Sequence, residues 1–317
     1  MPASHGAPTR RHVAVAIGPD ADPDLGDAVR RGGGTVVPLA QAQALIWASG
    51  PGDFPTSLPD SVEWVQLPSA GVEAWFAAGL VPRESAVVWT SAAGVYSASV
   101  AEHALTLLLA GIRALPTHLG ATSWARAEAA SARVDTLRSR TVAVIGAGGI
   151  GRALIPMLGA LGADVLAVNR SGRPVPGAVS TFPTAQIGAV WAHADHVVLS
   201  APATAATYHL VGPRELAQLG QSSWVVNVAR GSLVDTQALV TALRENRIGG
   251  AALDVTDPEP LPDDHPLWTL PNVIITPHEA NPPGLMRRAY AAHVSANVAR
   301  FAEGAALDSV IDTVAGY

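Results

Sequence analysis

The sequence of 317 residues contains no cysteine, and all 20 of its basic residues are arginine. The absence of cysteine excludes thiolate catalysis, disulfide bonds and thiolate metal sites. The absence of lysine excludes Schiff-base catalysis, a lysine general base and the phosphate-loop lysine of Walker-type ATPases. Covalent amine chemistry and Walker-type ATP hydrolysis are therefore ruled out, and no metal site is predicted.

Charge is also scarce. Charged residues make up 15% of the chain, hydrophobic residues make up 49%, and the formal net charge is -6, which is typical of a compact globular protein with few disordered tails. Basic residues cluster no further than pairs such as Arg10-Arg11, which argues against a nucleic-acid partner. The longest apolar stretches, such as 104–111, fall far short of the ~20 residues that a membrane-spanning helix needs, and the polar N-terminal segment has no signal-peptide core. We expect a cytoplasmic protein that binds a small molecule.

The hydrophobic pattern predicts two α/β domains, for which the chain is long enough. Short apolar runs alternate with helix-like stretches in the first hundred residues, and a second series of strands separated by helices follows. This alternation predicts two Rossmann-like or flavodoxin-like domains, each a doubly wound parallel sheet, with a cleft between them and ligands at the carboxyl ends of the strands. The predicted strands are 12–17, 44–47, 62–67 and 86–90 in the first series, and 141–145, 164–168, 196–199, 224–228, 251–254 and 273–275 in the second.

Two helical segments set the predicted domain boundaries. Residues 99–114 have helix-forming composition with apolar positions close to a 3.6 period, and we interpret them as a long helix leaving the first domain. Residues 285–301 form an amphipathic segment that we expect to pack on the first domain. The predicted division is a discontinuous substrate-binding domain, residues 1–112 and 290–317, and a dinucleotide-binding domain, residues 113–289.

A strand, a glycine cluster and a helix follow one another at the start of the second series. The strand TVAVI leads into GAGGIG and then into the helical RALIPMLGALG. In this order the glycines provide a tight turn, close approach to a pyrophosphate and close packing of helix on strand, which predicts dinucleotide binding rather than an ordinary turn. The predicted binding residues are Gly146, Gly148, Gly149, Ile150 and Gly151.

The end of the next strand bears on the choice between NAD and NADP. An NAD-selective site usually has Asp or Glu there for the ribose 2′-hydroxyl, but this chain has Asn169 followed by Arg170 and Ser171. A neutral residue avoids repulsion of a 2′-phosphate, and Arg170, with Arg173 as a second candidate, offers it a charge-assisted hydrogen bond. NADP(H) is therefore favoured over NAD(H). The alternative is that Arg170 is only solvated and Asn169 binds an unphosphorylated ribose.

Three ionisable residues, Arg230, Glu259 and His278, each follow a predicted strand and can face the ligand crevice. The planar guanidinium of Arg230 matches the two oxygens of a carboxylate and can polarise a carbonyl. His278 can donate a proton, and Glu259, if hydrogen-bonded to the ring, would favour the imidazolium and fix one tautomer. Each residue alone has an ordinary structural explanation. Together they match the reduction of a 2-oxo acid, which needs a cation, a proton donor and a hydride.

The segment VVNVARGSLVDTQALVTALRENRIGGAALDVTDPEPLPDDHPLWTLPNVIITPH resembles the signature region of the D-isomer-specific 2-hydroxyacid dehydrogenase family, including the spacing from the Arg through the Glu to the His. The resemblance spans nearly the whole chain. It implies an NAD(P)H-dependent reduction of a small 2-oxo acid, glyoxylate-like, hydroxypyruvate-like or larger, to the D-2-hydroxy acid. It also implies a homodimer and the roles given above to the three ionisable residues.

The resemblance adds residues that the pattern alone does not supply. LPSAGVEAW resembles the substrate loop of the family, so the backbone N–H groups of Ala70 and Gly71 are expected to meet the substrate carboxylate. AGVYSASVAEHA resembles the segment that approaches the nicotinamide, which implicates Ser97. Asp254 and the backbone at Val228 are expected near the nicotinamide carboxamide. The chain departs from the family in EAN, which follows the catalytic histidine where many members have a small or apolar pair and then Ser or Gly.

Two other functions are compatible with the same fold. Transcriptional corepressors related to C-terminal binding proteins share the fold and the residue set, so a dinucleotide-sensing interaction protein is one alternative. Formate oxidation is another, but the formate dehydrogenase pattern has Gln where this chain has Glu259, and Glu259 favours proton transfer. The sequence leaves the identity of the 2-oxo acid and the physiological direction open.

Overall fold

The computed structural model describes residues 11–128 and 131–314. The chain divides into two compact units, the first Met1–Tyr96 with Pro282–Tyr317 and the second Ser97–Asn281. Each unit contains one sheet whose paired strands are all parallel. The predicted class, two doubly wound α/β units, is confirmed. Within the described ranges, no helix combines the length and apolar character needed to cross a membrane.

The first unit is a five-stranded sheet in the order β2-β1-β3-β4-β5. Its strands are short and mostly buried because they consist of apolar runs that are covered on both faces, as parallel sheets require. The strands are β1 (Val13–Gly18), β2 (Gly34–Val36), β3 (Ala44–Trp47), β4 (Trp64–Gln66) and β5 (Val88–Thr90), and the helices are α1 (Pro23–Arg31), α2 (Glu73–Ala77) and α9 (Pro283–Glu303).

The terminal helix α9 packs on α1, β1 and β2, which confirms that the C-terminal segment returns to the first unit. The approach is close: a Cβ on Gly32, at the end of α1, would lie 2.6 Å from the carbonyl oxygen of Ser295. Only glycine fits there without displacing the backbone of α9. Gly33 makes the turn with φ of +89°, and Gly34 begins a strand that the sequence did not predict.

The second unit is a seven-stranded sheet in the order β12-β11-β10-β9-β6-β7-β8. The edge strand β8 (Ser180–Pro183), in which only Ser180 is exposed, was also not predicted. The strands are β6 (Thr141–Ile145), β7 (Asp164–Asn169), β8 (Ser180–Pro183), β9 (His196–Leu199), β10 (Trp224–Asn227), β11 (Gly250–Leu253) and β12 (Val273–Ile275), and the helices are α3 (Ser97–Ile112), α4 (Leu115–Leu119), α5 (Trp124–Glu128), α6 (Gly149–Ala160), α7 (Pro213–Leu216) and α8 (Thr236–Arg244).

The long helix α3 belongs to the second unit, whereas the sequence analysis placed the whole of Ser97–Ile112 in the first domain. It packs on α6 and β10, and its buried Leu107 and Leu108 join the core beneath the second sheet. A Cβ on Gly111 would lie 2.4 Å from the ring of Trp224, so the helix and the sheet are in close contact. The units therefore separate after residues 96 and 281, rather than at the expected boundaries after residues 112 and 289.

One ionisable group is enclosed in the core of the second unit. His196 begins β9 and has no exposed surface, and its Nδ1 accepts a hydrogen bond from the backbone N–H of Trp224 at 3.2 Å. Its Nε2 has no partner among the described residues. Burial lowers the pKa of His196 to about 4, against the opposing effect of the nearby carboxylates of Asp195 and Asp135. This histidine is therefore neutral at pH 7.

Candidate active site

Three adjacent strands of the second sheet bring the predicted catalytic residues to one edge. The strands β12, β11 and β10 are neighbours and run parallel, so their carboxyl ends lie at the same edge. Arg230, Glu259 and His278 occur in the connections that follow β10, β11 and β12 respectively. The three residues are far apart in the sequence, but the loops that carry them are adjacent in the structure.

The imidazole of His278 is paired with the carboxylate of Glu259. His278 Nδ1 lies 2.7 Å from Glu259 Oε1, and Glu259 Oε2 accepts a longer hydrogen bond from the backbone N–H of Thr256 at 3.4 Å. The side chains of the pair are 51% and 42% exposed, so solvent reaches the ring. Because Nδ1 faces the carboxylate, Nε2 is the ring nitrogen that can exchange a proton with a substrate.

The backbone of His278 is left-handed, with φ of +53°, a conformation that costs a non-glycine residue about 1–2 kcal/mol. Asp254 holds the turn in this conformation. Its carbonyl oxygen accepts from the N–H of His278 at 2.8 Å, and its buried carboxylate accepts from the N–H groups of Glu279 at 2.9 Å and Ala280 at 3.1 Å. The resemblance assigned Asp254 only to the nicotinamide. That contact stays a prediction, and the role in the turn was not foreseen.

A buried asparagine shapes the loop that carries Arg230. Asn227 is 1% exposed; its Oδ1 accepts from the N–H of Ala229 at 3.0 Å, and its Nδ2 donates to the carbonyl of Arg230 at 2.9 Å. The Arg230 guanidinium donates to the carbonyl of Ala229 at 2.7 Å. Sequence reasoning missed Asn227, although a single polar residue inside the apolar run VVNVA could have signalled it.

The connections after β10 and β11 are in direct contact. A Cβ on Gly231 would lie 1.9 Å from the carbonyl oxygen of Thr256, so no other residue fits at that position without displacing the backbone. This contact places the loop of Arg230 against the loop that leads to Glu259. The positions of the two charged side chains are therefore linked through the backbone.

The glycine turn after β6 has the three properties expected of a dinucleotide cradle. Gly146 has φ of +96°, and a Cβ there would lie 2.4 Å from the backbone nitrogen of Ala201. A Cβ on Gly151 would lie 3.0 Å from Val144 Cγ1, which shows close packing of helix on strand. At Gly148 the nearest atom would be 4.0 Å away, so this side of the turn is open to a ligand. The residues present fit a pyrophosphate at the start of α6, which begins at Gly149 and includes Ile150.

Asn169, at the end of β7, folds the turn that follows it. Its Oδ1 accepts from the N–H groups of Gly172 at 2.7 Å and Ser171 at 3.1 Å, and its Nδ2 donates to the carbonyl of Arg173 at 2.8 Å. Both ends of the side-chain amide are thus engaged within the turn. Arg170 and Arg173 are exposed on the same turn. The side-chain amide of Asn169 is therefore occupied by backbone groups of the turn, and the contacts of this turn with a ribose or a 2′-phosphate stay a prediction.

The residues that the resemblance assigned to the substrate lie in the first unit. Ala70 and Gly71 follow β4, and Ser69 fixes their loop because its carbonyl accepts from the N–H of Ala92 at 2.8 Å and its Oγ accepts from Trp75 Nε1 at 3.3 Å. Neither Ala70 nor Gly71 donates its N–H to another residue of the described ranges. These two N–H groups can therefore donate to an anion.

The two remaining residues assigned to the cofactor lie in the second unit. Ser97 is the first residue of α3. Val228 directly follows β10, and its N–H donates to the carbonyl of Leu199 at 3.2 Å, so the carbonyl of Val228 is the backbone group that can meet a carboxamide.

A glycine cradle for a dinucleotide and an imidazole–carboxylate pair at the edge of one parallel sheet are characteristic of a dinucleotide-dependent oxidoreductase. The family model described as D-isomer specific 2-hydroxyacid dehydrogenase, NAD binding domain, matches residues 104–280. The chain belongs to the D-isomer-specific 2-hydroxyacid dehydrogenase family. It is an NAD(P)-dependent oxidoreductase of a family that acts on small 2-oxo acids.

Three relatives illustrate the similarity. An uncharacterized protein in the proB 3′ region of Corynebacterium melassecola is 41% identical over 293 residues, which cover 92% of this chain and 95% of that protein. Glyoxylate/hydroxypyruvate reductase B of Yersinia pestis is 30% identical over 267 residues, which cover 82% of this chain and 78% of that protein. The crystal structure of a D-isomer specific 2-hydroxyacid dehydrogenase from Xanthobacter autotrophicus, in complex with NADPH and MES, has a TM-score of 0.80 and 27% identity, and the match covers 96% of this chain and 99% of that one.

Proposed function

We propose that this enzyme reduces a small 2-oxo acid of the glyoxylate or hydroxypyruvate type to the D-2-hydroxy acid with NADPH, and that His278 donates the proton. The observation that carries the proposal is the 2.7 Å hydrogen bond from His278 Nδ1 to Glu259 Oε1, which orients the ring and leaves Nε2 for the substrate. The name of the Yersinia pestis relative supports the substrate class. The NADPH bound to the Xanthobacter autotrophicus structure supports the cofactor.

The proton transfer follows from the state of the two ring nitrogens. Nε2 gives its proton to the carbonyl oxygen of the 2-oxo acid, while Nδ1–H stays hydrogen-bonded to Glu259 and the carboxylate stabilises the imidazolium before transfer. When bound, the dinucleotide supplies the hydride that the carbonyl carbon receives. One hydride and one proton convert the 2-oxo acid to the 2-hydroxy acid, and the half-exposed ring then regains its proton from water.

Binding of the substrate carboxylate requires a cation and N–H donors. Arg230 supplies the planar guanidinium that can bind the carboxylate and polarise the ketone. The backbone N–H groups of Ala70 and Gly71 supply donors that need no side chain.

The glycine cradle, Ser97, the carbonyl of Val228 and the carboxylate of Asp254 would hold the dinucleotide. Exposed Arg170 and Arg173, on the turn that Asn169 folds, would select the 2′-phosphate. A homodimer and a cytoplasmic location remain predictions.

The test is the oxidation of NADPH and of NADH, measured by the absorbance of the reduced nicotinamide, with a panel of glyoxylate, hydroxypyruvate, pyruvate, phenylpyruvate and branched 2-oxo acids. We expect turnover with at least one small 2-oxo acid and a higher kcat/KM for NADPH than for NADH. Tight dinucleotide binding without turnover on any member of the panel would contradict the proposal and would favour a sensing protein.

A further inference from the structure

We propose that Ser99 and His103, two side chains of helix α3, are positioning residues that hold His278 in its proton-donating conformation. The inference rests on the proposed function and extends it to residues outside the Arg230, Glu259 and His278 set. Both residues lie in the second unit with His278. Neither residue would meet the substrate in this account; each acts on the turn 276–280, at whose centre His278 lies.

The two side chains contact the turn at its two ends. Ser99 and His103 are four residues apart in α3 and therefore lie on one face of the helix. Ser99 Oγ donates to the carbonyl oxygen of Ala280 at 2.9 Å, and His103 Nε2 lies 3.0 Å from Thr276 Oγ1. We call this pair of contacts the α3 clamp.

The number of available hydrogens determines which group donates in the hydrogen bond between His103 and Thr276. A threonine hydroxyl has a single hydrogen, and Thr276 Oγ1 donates it to Asp254 Oδ1 at 2.6 Å. Thr276 must therefore accept from His103, so His103 carries a hydrogen on Nε2. The imidazole, the hydroxyl and the buried carboxylate form a chain of hydrogen bonds that runs from α3 to the end of β11. Asp254 Oδ1 also lies 3.4 Å from His103 Nε2.

The left-handed backbone of His278 explains why the turn needs these contacts. A non-glycine residue keeps a φ of +53° only where its surroundings over-determine it. The Asp254 carboxylate binds the backbone N–H groups of Glu279 and Ala280, and the α3 clamp adds hydrogen bonds to Thr276 and to the carbonyl of Ala280. Loss of the clamp lets the backbone relax toward negative φ, which moves the imidazole away from Glu259.

The experiment compares Ser99→Ala and His103→Leu with two further variants. His103→Gln places an amide nitrogen near the position of Nε2 and should restore the donor to Thr276. Thr106→Ala is the matched control, because Thr106 is an exposed residue of the same helix. Within the described ranges its hydroxyl donates only to the carbonyl of Glu102, one turn earlier. The measured quantities are kcat, KM for the 2-oxo acid and dinucleotide affinity.

We expect Ser99→Ala and His103→Leu each to lower kcat by about three- to tenfold, the effect of one lost hydrogen bond, with KM and dinucleotide affinity within twofold of wild type, roughly the scatter of such measurements. His103→Gln should recover most of the loss, and Thr106→Ala should show none. Wild-type kcat in both clamp variants would overturn the proposal. If His103→Leu fails to fold, Ser99→Ala still decides the question, and wild-type kcat in that variant would then overturn the proposal.

A second readout does not depend on activity. Imidazole ¹⁵N NMR, with the His278 signal assigned by its loss in His278→Gln, reports which nitrogen of the neutral ring carries the hydrogen. We expect Nδ1–H in the wild type, because Nδ1 faces Glu259, and a mixture with Nε2–H in the clamp variants. An unchanged tautomer in the clamp variants would overturn the proposal. If the wild type reduces no 2-oxo acid, the proposed function fails, while this spectrum still tests the clamp.

Discussion

Replacing His278 by glutamine removes the proposed proton donor while retaining a polar side chain of similar length. The ring is half exposed and Glu259 is its one hydrogen-bonded partner among the described residues, so the substitution should change stability little. Loss of general acid catalysis should lower kcat by roughly two to four orders of magnitude, which corresponds to about 3–5 kcal/mol in the activation free energy. Dinucleotide affinity should stay near the wild-type value, because the glycine cradle follows β6 and three strands separate β6 from β12.

His209→Gln is a matched control in the same unit. His209 also has a positive φ, +49°, its side chain is 38% exposed, and its Nδ1 lies 4.0 Å from Asp235 Oδ2. The general effects of exchanging a histidine beside a carboxylate therefore appear in both variants. The assay is steady-state turnover with NADPH, combined with a fluorescence titration of dinucleotide binding. The reasoning is refuted if His278→Gln retains more than about a tenth of wild-type kcat, or if it loses dinucleotide affinity in the same proportion as turnover.

Three further substitutions test other parts of the account. Arg230→Lys should lower kcat/KM at least tenfold, on the order expected when the bidentate guanidinium is lost although charge is kept; wild-type kinetics would contradict the carboxylate role. Asn169→Asp should lower the ratio of kcat/KM for NADPH over NADH, since a carboxylate repels the 2′-phosphate, and an unchanged ratio would show that this turn and Arg170 do not read the phosphate. His196→Asn keeps an acceptor for the N–H of Trp224 but removes the titrating group. In the wild type, folding lowers the pKa of His196 from 6.5 to about 4. The wild-type free energy of unfolding should therefore fall by up to about 3 kcal/mol as pH drops from about 6.5 to about 4. Urea titrations over that pH range should show a smaller fall in the free energy of unfolding for the variant. An equal dependence of this free energy on pH in both proteins would refute the lowered pKa of His196.

The strands were predictable where a buried apolar run stands between turn signals. Ala44–Trp47 and Thr141–Ile145 occur with the expected bounds, because uninterrupted apolar runs of this length suit strands covered on both faces. The strand Gly34–Val36 was missed because its first glycine serves packing rather than a turn. The half-buried edge strand Ser180–Pro183 was missed because it has no apolar run, and edge positions tolerate proline.

The hydrophobic period of α3 could not show to which unit the helix belongs. A 3.6 period shows that one face of a helix is buried, but it does not show which sheet covers that face. The close packing of Gly111 against Trp224 shows that the second sheet covers this face. Periodicity could not reveal that contact, because the two residues are far apart in the chain.

The candidate site was predictable to the extent that its residues directly follow parallel strands. The hydrogen bond between Glu259 and His278 was given only as a condition by the sequence analysis, and the structure places the two side chains in contact. The supporting groups Asn227, Ser99 and His103 were not foreseen. They are common residue types, and their importance depends on hydrogen bonds to the loops that carry Arg230 and His278.

The most direct test of the central claim is the product formed per NADPH consumed, with the best 2-oxo acid of the panel, measured by chiral chromatography. The account predicts that each NADPH oxidised yields one molecule of the 2-hydroxy acid, all of it the D-isomer. An L-product, or oxidation of NADPH without a hydroxy acid, would contradict it.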